Sequence, residues 1–233
     1  MLSERIRAVT ESIREATARA GRPDGSVRLL AVTKSHPADT VHEALDNGLA
    51  VLGENRVQEA VAKFEPLRAA RERHPAFELH LIGHLQSNKA AKVPGLFDWV
   101  QSVDSIALAE ALSRRCEQAG VTIDVLVQFN SSGEQTKSGY ADPEALVDDA
   151  AAIASLGSLR LRGVMTIGPF TDDTARIASA FARTRALYNR IASALPDAPI
   201  DTLSMGMSDD FAIAIAEGST LVRIGSALFG ARS

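Results

Sequence analysis

A single cysteine, Cys116, stands in 233 residues, so no disulfide can form within the chain. It falls in a helical pattern with Ser113, Arg114 and Arg115, which gives the thiol a packing or surface role rather than a catalytic one. No long block of one charge sign is present. Lys and Arg number 25 against 29 Asp and Glu, a net of -4, which disfavours nucleic acid and anionic membranes as partners. No apolar run is long enough to span a bilayer, and the opening MLSERIRAVTESIREATARAGRP is too charged for a secretion signal. The cytoplasm is therefore the expected location. No stretch rich in Pro, Gly or Ser interrupts the chain and no repeat is evident, which predicts one domain over residues 1–233.

What is present is alternation. Leu2, Ile6, Val9, Ile13, Ala16 and Ala20 step by three and four along a first helix, stopped by Gly21 and Pro23. Strand patterns follow at 27–32, 49–52, 77–82, 99–103, 123–129, 159–165, 200–203 and 220–224. Between them lie helical patterns, including 38–46, 56–73, 105–119 and 208–217, a helix capped by Asp142 with Pro143 at its first position, and a buried stripe of Ile177, Phe181, Tyr188, Ile191 and Leu195. Eight strands joined by helices, with no hairpin signal, make a parallel sheet. An open Rossmann-like sheet is the alternative, but no GxGxxG follows the first strand. The count and the length favour an α/β fold, a (β/α)8 TIM barrel with an extra N-terminal helix.

In such a barrel the active face is built from the loops after the strands. Lys34 falls just past the apolar run VRLLAV, where a rigid strand would hold an amine at the rim of a pocket. Alone, that placement describes an ordinary loop lysine better than a nucleophile. The chain turns glycine- and serine-rich after strands seven and eight, where barrels commonly hold phosphate: Ser204, Gly206, Met207 and Ser208 lead into one helix, and Gly225 and Ser226 open the last segment. Each turn alone reads as a helix cap. Both turns on one rim with a strand-end lysine suit a phosphorylated aldehyde, bound through an imine and through its phosphate.

The segments AVTKSHP, LGENRVQE, HLIGHLQSNK, QTKSG, LRGVMTIG and LSMGMSDDFAIAIAEGSTLVRIGSALFG closely resemble the family of pyridoxal 5′-phosphate (PLP) homeostasis proteins. The resemblance implies a barrel similar to the N-terminal domain of alanine racemase, with PLP as cofactor held as an internal aldimine on Lys34. It implies a phosphate site at Ser204, Gly206 and their neighbours and around Gly225 and Ser226. Asn55 and Met165 match residues near the cofactor, and Arg223 matches the arginine that faces the pyridine nitrogen. A permanent charge there disfavours a second positive charge on the ring and weakens it as an electron sink.

The expected function is holding PLP and supplying it to PLP-dependent apoenzymes, with no catalytic residue, no metal and a monomeric state. A PLP-dependent racemase or decarboxylase is the competing reading. Racemisation needs a second base, usually a tyrosine from a further domain, and the pattern stops soon after Phe229 with Tyr140 in a loop and Tyr188 on a helix stripe. A Schiff-base aldolase is the third. His80 and His84 are too far apart along a strand, about 13 Å, to share a metal ion. Lys137 reads as a solvated loop lysine or as a secondary contact with PLP or its phosphate, Glu54 as a loop anchor and Asp209 as a residue in the first turn of a helix.

Overall fold

The computed structural model describes residues 1–134 and 137–230; Gln135 and Thr136 of the QTKSG motif lie outside the described residues. Eight strands, β1 (Arg28–Val32), β2 (Val51–Glu54), β3 (Glu78–Leu81), β4 (Trp99–Val103), β5 (Ile123–Phe129), β6 (Leu159–Thr166), β7 (Thr202–Ser204) and β8 (Leu221–Ile224), form a closed parallel barrel in chain order. β8 returns to β1 through Leu29↔Val222 and Leu30↔Arg223. The helices are α1 (Leu2–Arg19), α2 (Ala38–Asp46), α3 (Val57–Ala62), α4 (Phe64–Arg73), α5 (Ile106–Ala119), α6 (Pro143–Ala154), α7 (Thr174–Ala194), α8 (Phe211–Ala216) and α9 (Ser226–Phe229). The extra helix α1 buries Leu2, Val9, Ile13 and Ala16 and packs on α8 and α9. Among the described residues no helix is long and apolar enough to cross a membrane.

Strand periodicity sorts the side chains into two layers. Ala31, Leu52, Leu79, Leu81, Val100, Val125 and Val127 join the large cluster shared with the helices. Their neighbours in sequence face the barrel axis, where Leu30, Val32, Val51, Ile82 and Leu221 form one apolar cluster and Trp99, Leu126 and Met165 another. Burying each such side chain contributes about 1.5–3 kcal/mol. The β5–β6 register shifts between Val125 and Leu126. Gly163 sits opposite that shift at φ +143, where a Cβ would lie 2.0 Å from the Thr202 carbonyl oxygen, so only glycine lets β6 approach β7.

Three sequence expectations change. The helix expected over 56–73 is two helices, because a continuous one would place Pro66 in its interior; the break at Lys63 puts Pro66 in the first turn of α4. The strand expected over 49–52 runs two residues later, which places Glu54 inside β2 rather than in a loop. The helix expected over 208–217 begins only at Phe211, leaving Ser208 and Asp209 in the preceding turn. The Asp142 cap is realised: its carboxylate accepts the Glu144 N–H at 2.9 Å, with Pro143 beginning α6.

Candidate functional site

A cavity of about 710 Å³ opens at the C-terminal ends of the strands, within the size range of small-molecule sites. Lys34 reaches it from the loop after β1 and is half-buried. That loop is fastened from below. The Lys63 ammonium donates to the Thr33 carbonyl at 3.2 Å and to Glu54 Oε1 at 2.8 Å, while the Thr33 hydroxyl donates to the same carboxylate oxygen at 2.8 Å. Glu59 accepts from Lys63 at 3.3 Å and from the backbone N–H of Ser35, a non-glycine residue held at φ 63. Glu54 is fully buried and its Oε2 has no partner among the described residues. Burial pushes its carboxyl above the ordinary value, against the opposing pull of Lys63 and Thr33.

Arg223 enters the cavity floor from β8 and is 4% exposed. Its Nη1 donates to Ser204 Oγ at 2.7 Å and its Nη2 to the Thr166 carbonyl at 2.8 Å. Burial pushes the guanidinium down to about 10, opposed by the charge of Asp210, so it stays protonated at neutral pH. Asp210 is itself buried, which raises its carboxyl, and it accepts the Met207 N–H at 2.6 Å. That bond shapes the turn after β7. Gly206 stands at φ +97, and a Cβ there would fall 2.6 Å from Ala214 Cβ, so glycine is what seats the turn against α8.

The two serine turns touch. Ser226 Oγ donates to Ser208 Oγ at 3.1 Å across 18 residues of sequence. The Gly225 carbonyl accepts the first bonds of α9, from Leu228 and Phe229, so the amides of Ser226 and Ala227 precede any intrahelical acceptor. Val32, Ile82 and Ile167 supply apolar wall.

Lys34, Asn55, Met207, Ser208, Arg223, Gly225 and Ser226 all line this cavity. Met165, Ser204 and Gly206 lie behind it. Met165 is fully buried against Trp99, Leu126 and Ile167, and Ser204 is a strand residue whose hydroxyl accepts from Arg223 and donates to Gln101 Oε1 at 2.7 Å. Sequence reasoning missed Asp210, Gln101 and Lys63. A polar residue inside the apolar strand WVQSV was the available sign for Gln101. His84 pairs with Asp104 at 3.2 Å, Lys137 donates to Glu134 at 2.8 Å and to the Gly168 carbonyl at 2.9 Å, and the two tyrosine hydroxyls donate to Asp149 and to the Ile200 carbonyl.

The alanine racemase N-terminal domain family matches residues 5–233. The pyridoxal phosphate homeostasis protein of Pasteurella multocida is 42% identical over 231 residues, covering 99% of this chain and 97% of that protein. Among solved structures, PipY of Synechococcus elongatus with PLP bound has a TM-score of 0.83 at 37% identity, over 99% of this chain and 100% of that one. Alanine racemase of Clostridium difficile 630 shares the fold alone, with a TM-score of 0.69 at 16% identity over 95% of this chain and 56% of that one. Since a homeostasis relative aligns along nearly its whole length and a like-folded structure does the same, the chain belongs to the pyridoxal phosphate homeostasis protein family.

Proposed function

We propose that this chain binds PLP at the mouth of its barrel, attached through Lys34, and serves PLP homeostasis by holding the cofactor and supplying it to PLP-dependent apoenzymes without turnover of its own. One observation carries the reading: Lys34, Arg223 and the joined Ser208–Ser226 turns line the same cavity. The donor set fits the group's three chemical parts. An amine can meet the aldehyde, a fixed cation can meet the ring edge, and hydroxyls with the first amides of α9 can meet the phosphate. Bound PLP supplies an electrophilic carbonyl and an electron-withdrawing ring.

Each residue has a separate task. Lys34 is presented by a loop that Lys63 and Glu59 hold in place. Arg223 keeps a positive charge at the floor and disfavours a second one beside it, which limits carbanion chemistry. Ser208, Ser226 and the Gly225 backbone hold the phosphate end, with Gly206 and Met207 shaping the turn. Asn55 lines the cavity from the turn after β2, and Met165 and Ser204 lie behind the lining. Neither tyrosine hydroxyl lines the cavity, and both already have acceptors, which supports holding over racemisation. The whole chain acts as one binding unit, a cytoplasmic monomer.

The test is the visible absorbance of the purified protein with and without added PLP, beside Lys34→Ala. The expected result is a yellow band in the native protein that the variant lacks. No band in either protein after PLP addition overturns the cofactor reading, and racemisation of alanine at ordinary enzymatic rates overturns the non-catalytic one.

A further inference from the structure

Branched apolar side chains usually fill the core of such a barrel. This one holds a polar line. Glu78, His80 and Ile82 share one face of the β3 segment, Gln101 enters from β4, Ser204 from β7 and Arg223 from β8. His80, Gln101 and Ser204 are fully buried. Arg223 Nη1 lies 2.7 Å from Ser204 Oγ, which lies 2.7 Å from Gln101 Oε1; Gln101 Nε2 lies 2.8 Å from His80 Nδ1, and His80 Nε2 lies 3.0 Å from Glu78 Oε2.

Donor chemistry gives this line one direction. A guanidinium has only donors, so Ser204 accepts there and turns its own proton to an acceptor, the Gln101 carbonyl. The Gln101 amide nitrogen then faces His80 Nδ1 and donates to it, so Nδ1 carries a lone pair and the ring proton sits on Nε2, donated to Glu78. The Trp99 indole stacks on the imidazole at 4.9 Å and 9°, fixing its plane. At the far end Glu78 also accepts from Arg28 at 2.8 Å, and the Asp98 and Arg28 charges both act on His80. Burial keeps the ring neutral, as the line requires. A cation at one end and an anion at the other polarise every bond between them in the same sense.

We infer that Gln101 and His80 are positioning residues for Arg223: acting through Ser204, they fix the rotation of the guanidinium at the cavity floor, and Glu78 at the opposite end of the barrel sets the sense of the bonds. The inference rests on the PLP reading for what Arg223 faces, but its mechanics belong to the protein alone. Gln101→Met removes both bonds at similar volume, which leaves the guanidinium with the Thr166 carbonyl and an unanchored Ser204 hydroxyl as acceptors and loosens its rotation. Gln101→Glu still accepts from Ser204 but cannot donate to Nδ1, so it draws a second proton onto His80.

The deciding measurement is nitrogen-15 NMR of the histidine ring and the Arg223 guanidinium in PLP-free protein. The native chain should show His80 protonated at Nε2 only and a slowly rotating guanidinium. Gln101→Glu should keep the guanidinium ordered while His80 becomes doubly protonated, and Gln101→Met should speed guanidinium rotation, with the Thr166 carbonyl as the acceptor that remains, in a protein of unchanged circular dichroism. His80 protonated at Nδ1 in the native chain, or an Arg223 signal equally ordered in Gln101→Met, overturns the inference. PLP titration of the same samples separates the two readings. Failure of the native protein to bind removes the cofactor reading and leaves the NMR result standing. In a binding protein, Gln101→Met should weaken PLP by roughly tenfold or less and shift its absorbance maximum; an unmoved spectrum and affinity would also overturn the positioning role.

Discussion

Lys63→Met tests how the Lys34 loop is held. Lys63 is 9% exposed and Glu54 fully buried, with their charges 2.8 Å apart. Removing the ammonium leaves the carboxylate with the Thr33 hydroxyl as its bonded partner. Breaking one side of a buried ion pair typically costs about 3–5 kcal/mol, and a carboxyl can escape part of that cost by taking up a proton. The sign follows from the direction of the shift. Burial already raises the folded-state value of Glu54 above its ordinary one, and Lys63 is the largest opposing influence, so the substitution raises it further. The folded protein then binds more protons than the unfolded chain from the ordinary carboxylate value upward, and its stability falls as pH rises through that window.

The penalty is therefore small near pH ~5 and grows toward pH ~8, by at most about 1.4 kcal/mol per pH unit for one group. Urea unfolding of native and variant protein without PLP at the two pH values measures it. We expect a loss of about 3 kcal/mol at the higher pH and a clearly smaller one at the lower. Adding Glu54→Gln to Lys63→Met should recover most of the loss and flatten its pH dependence. An equal loss at both pH values, or a double variant no more stable than the single, would refute this account of the ion pair. Because Thr33 immediately precedes Lys34, the single variant should also retain PLP less well at pH values where it stays folded.

Ser208→Ala combined with Ser226→Ala should weaken PLP by about tenfold while leaving pyridoxal, which lacks the phosphate, unaffected; fluorescence titration of both compounds reads the difference. Equal weakening of both would place the phosphate elsewhere. Burial pushes the Cys116 thiol up to about 11, so iodoacetamide near pH ~8 should leave the folded protein unmodified and alkylate it fully in urea, as read by mass spectrometry.

The barrel was legible because each strand is a short apolar run followed by polar residues, and the helix after the lysine falls at Ala38–Asp46 as its pattern predicts. The rim of the candidate site carries the same signal: Lys34, Ser208 and Ser226, which line one cavity, sit where apolar runs give way to small or polar residues. Errors arose where local pattern competes with a single residue. An apolar stripe runs through 56–73, yet Pro66 cannot occupy its interior. Leu49 to Leu52 reads as a strand on hydrophobicity, while pairing with β3 extends it to Glu54↔Leu81 and carries the carboxylate into the barrel wall.

The polar line was hidden for a deeper reason. Period two places His80 opposite Leu79 and Leu81, but it does not say which face closes on itself. Only closure brings β4 across from β7, where Gln101 meets Ser204 at a separation of 103 residues. The signal in the chain is the cost: burying His80, Gln101 and Arg223 without partners would be heavily unfavourable, so each demands one. Those demands are met together only in the observed register. A one-residue slip of β8 would turn Arg223 into the apolar layer beneath the helices and strand Ser204, which makes the residues that set the floor of the cavity also the ones that penalise misregistration of the barrel.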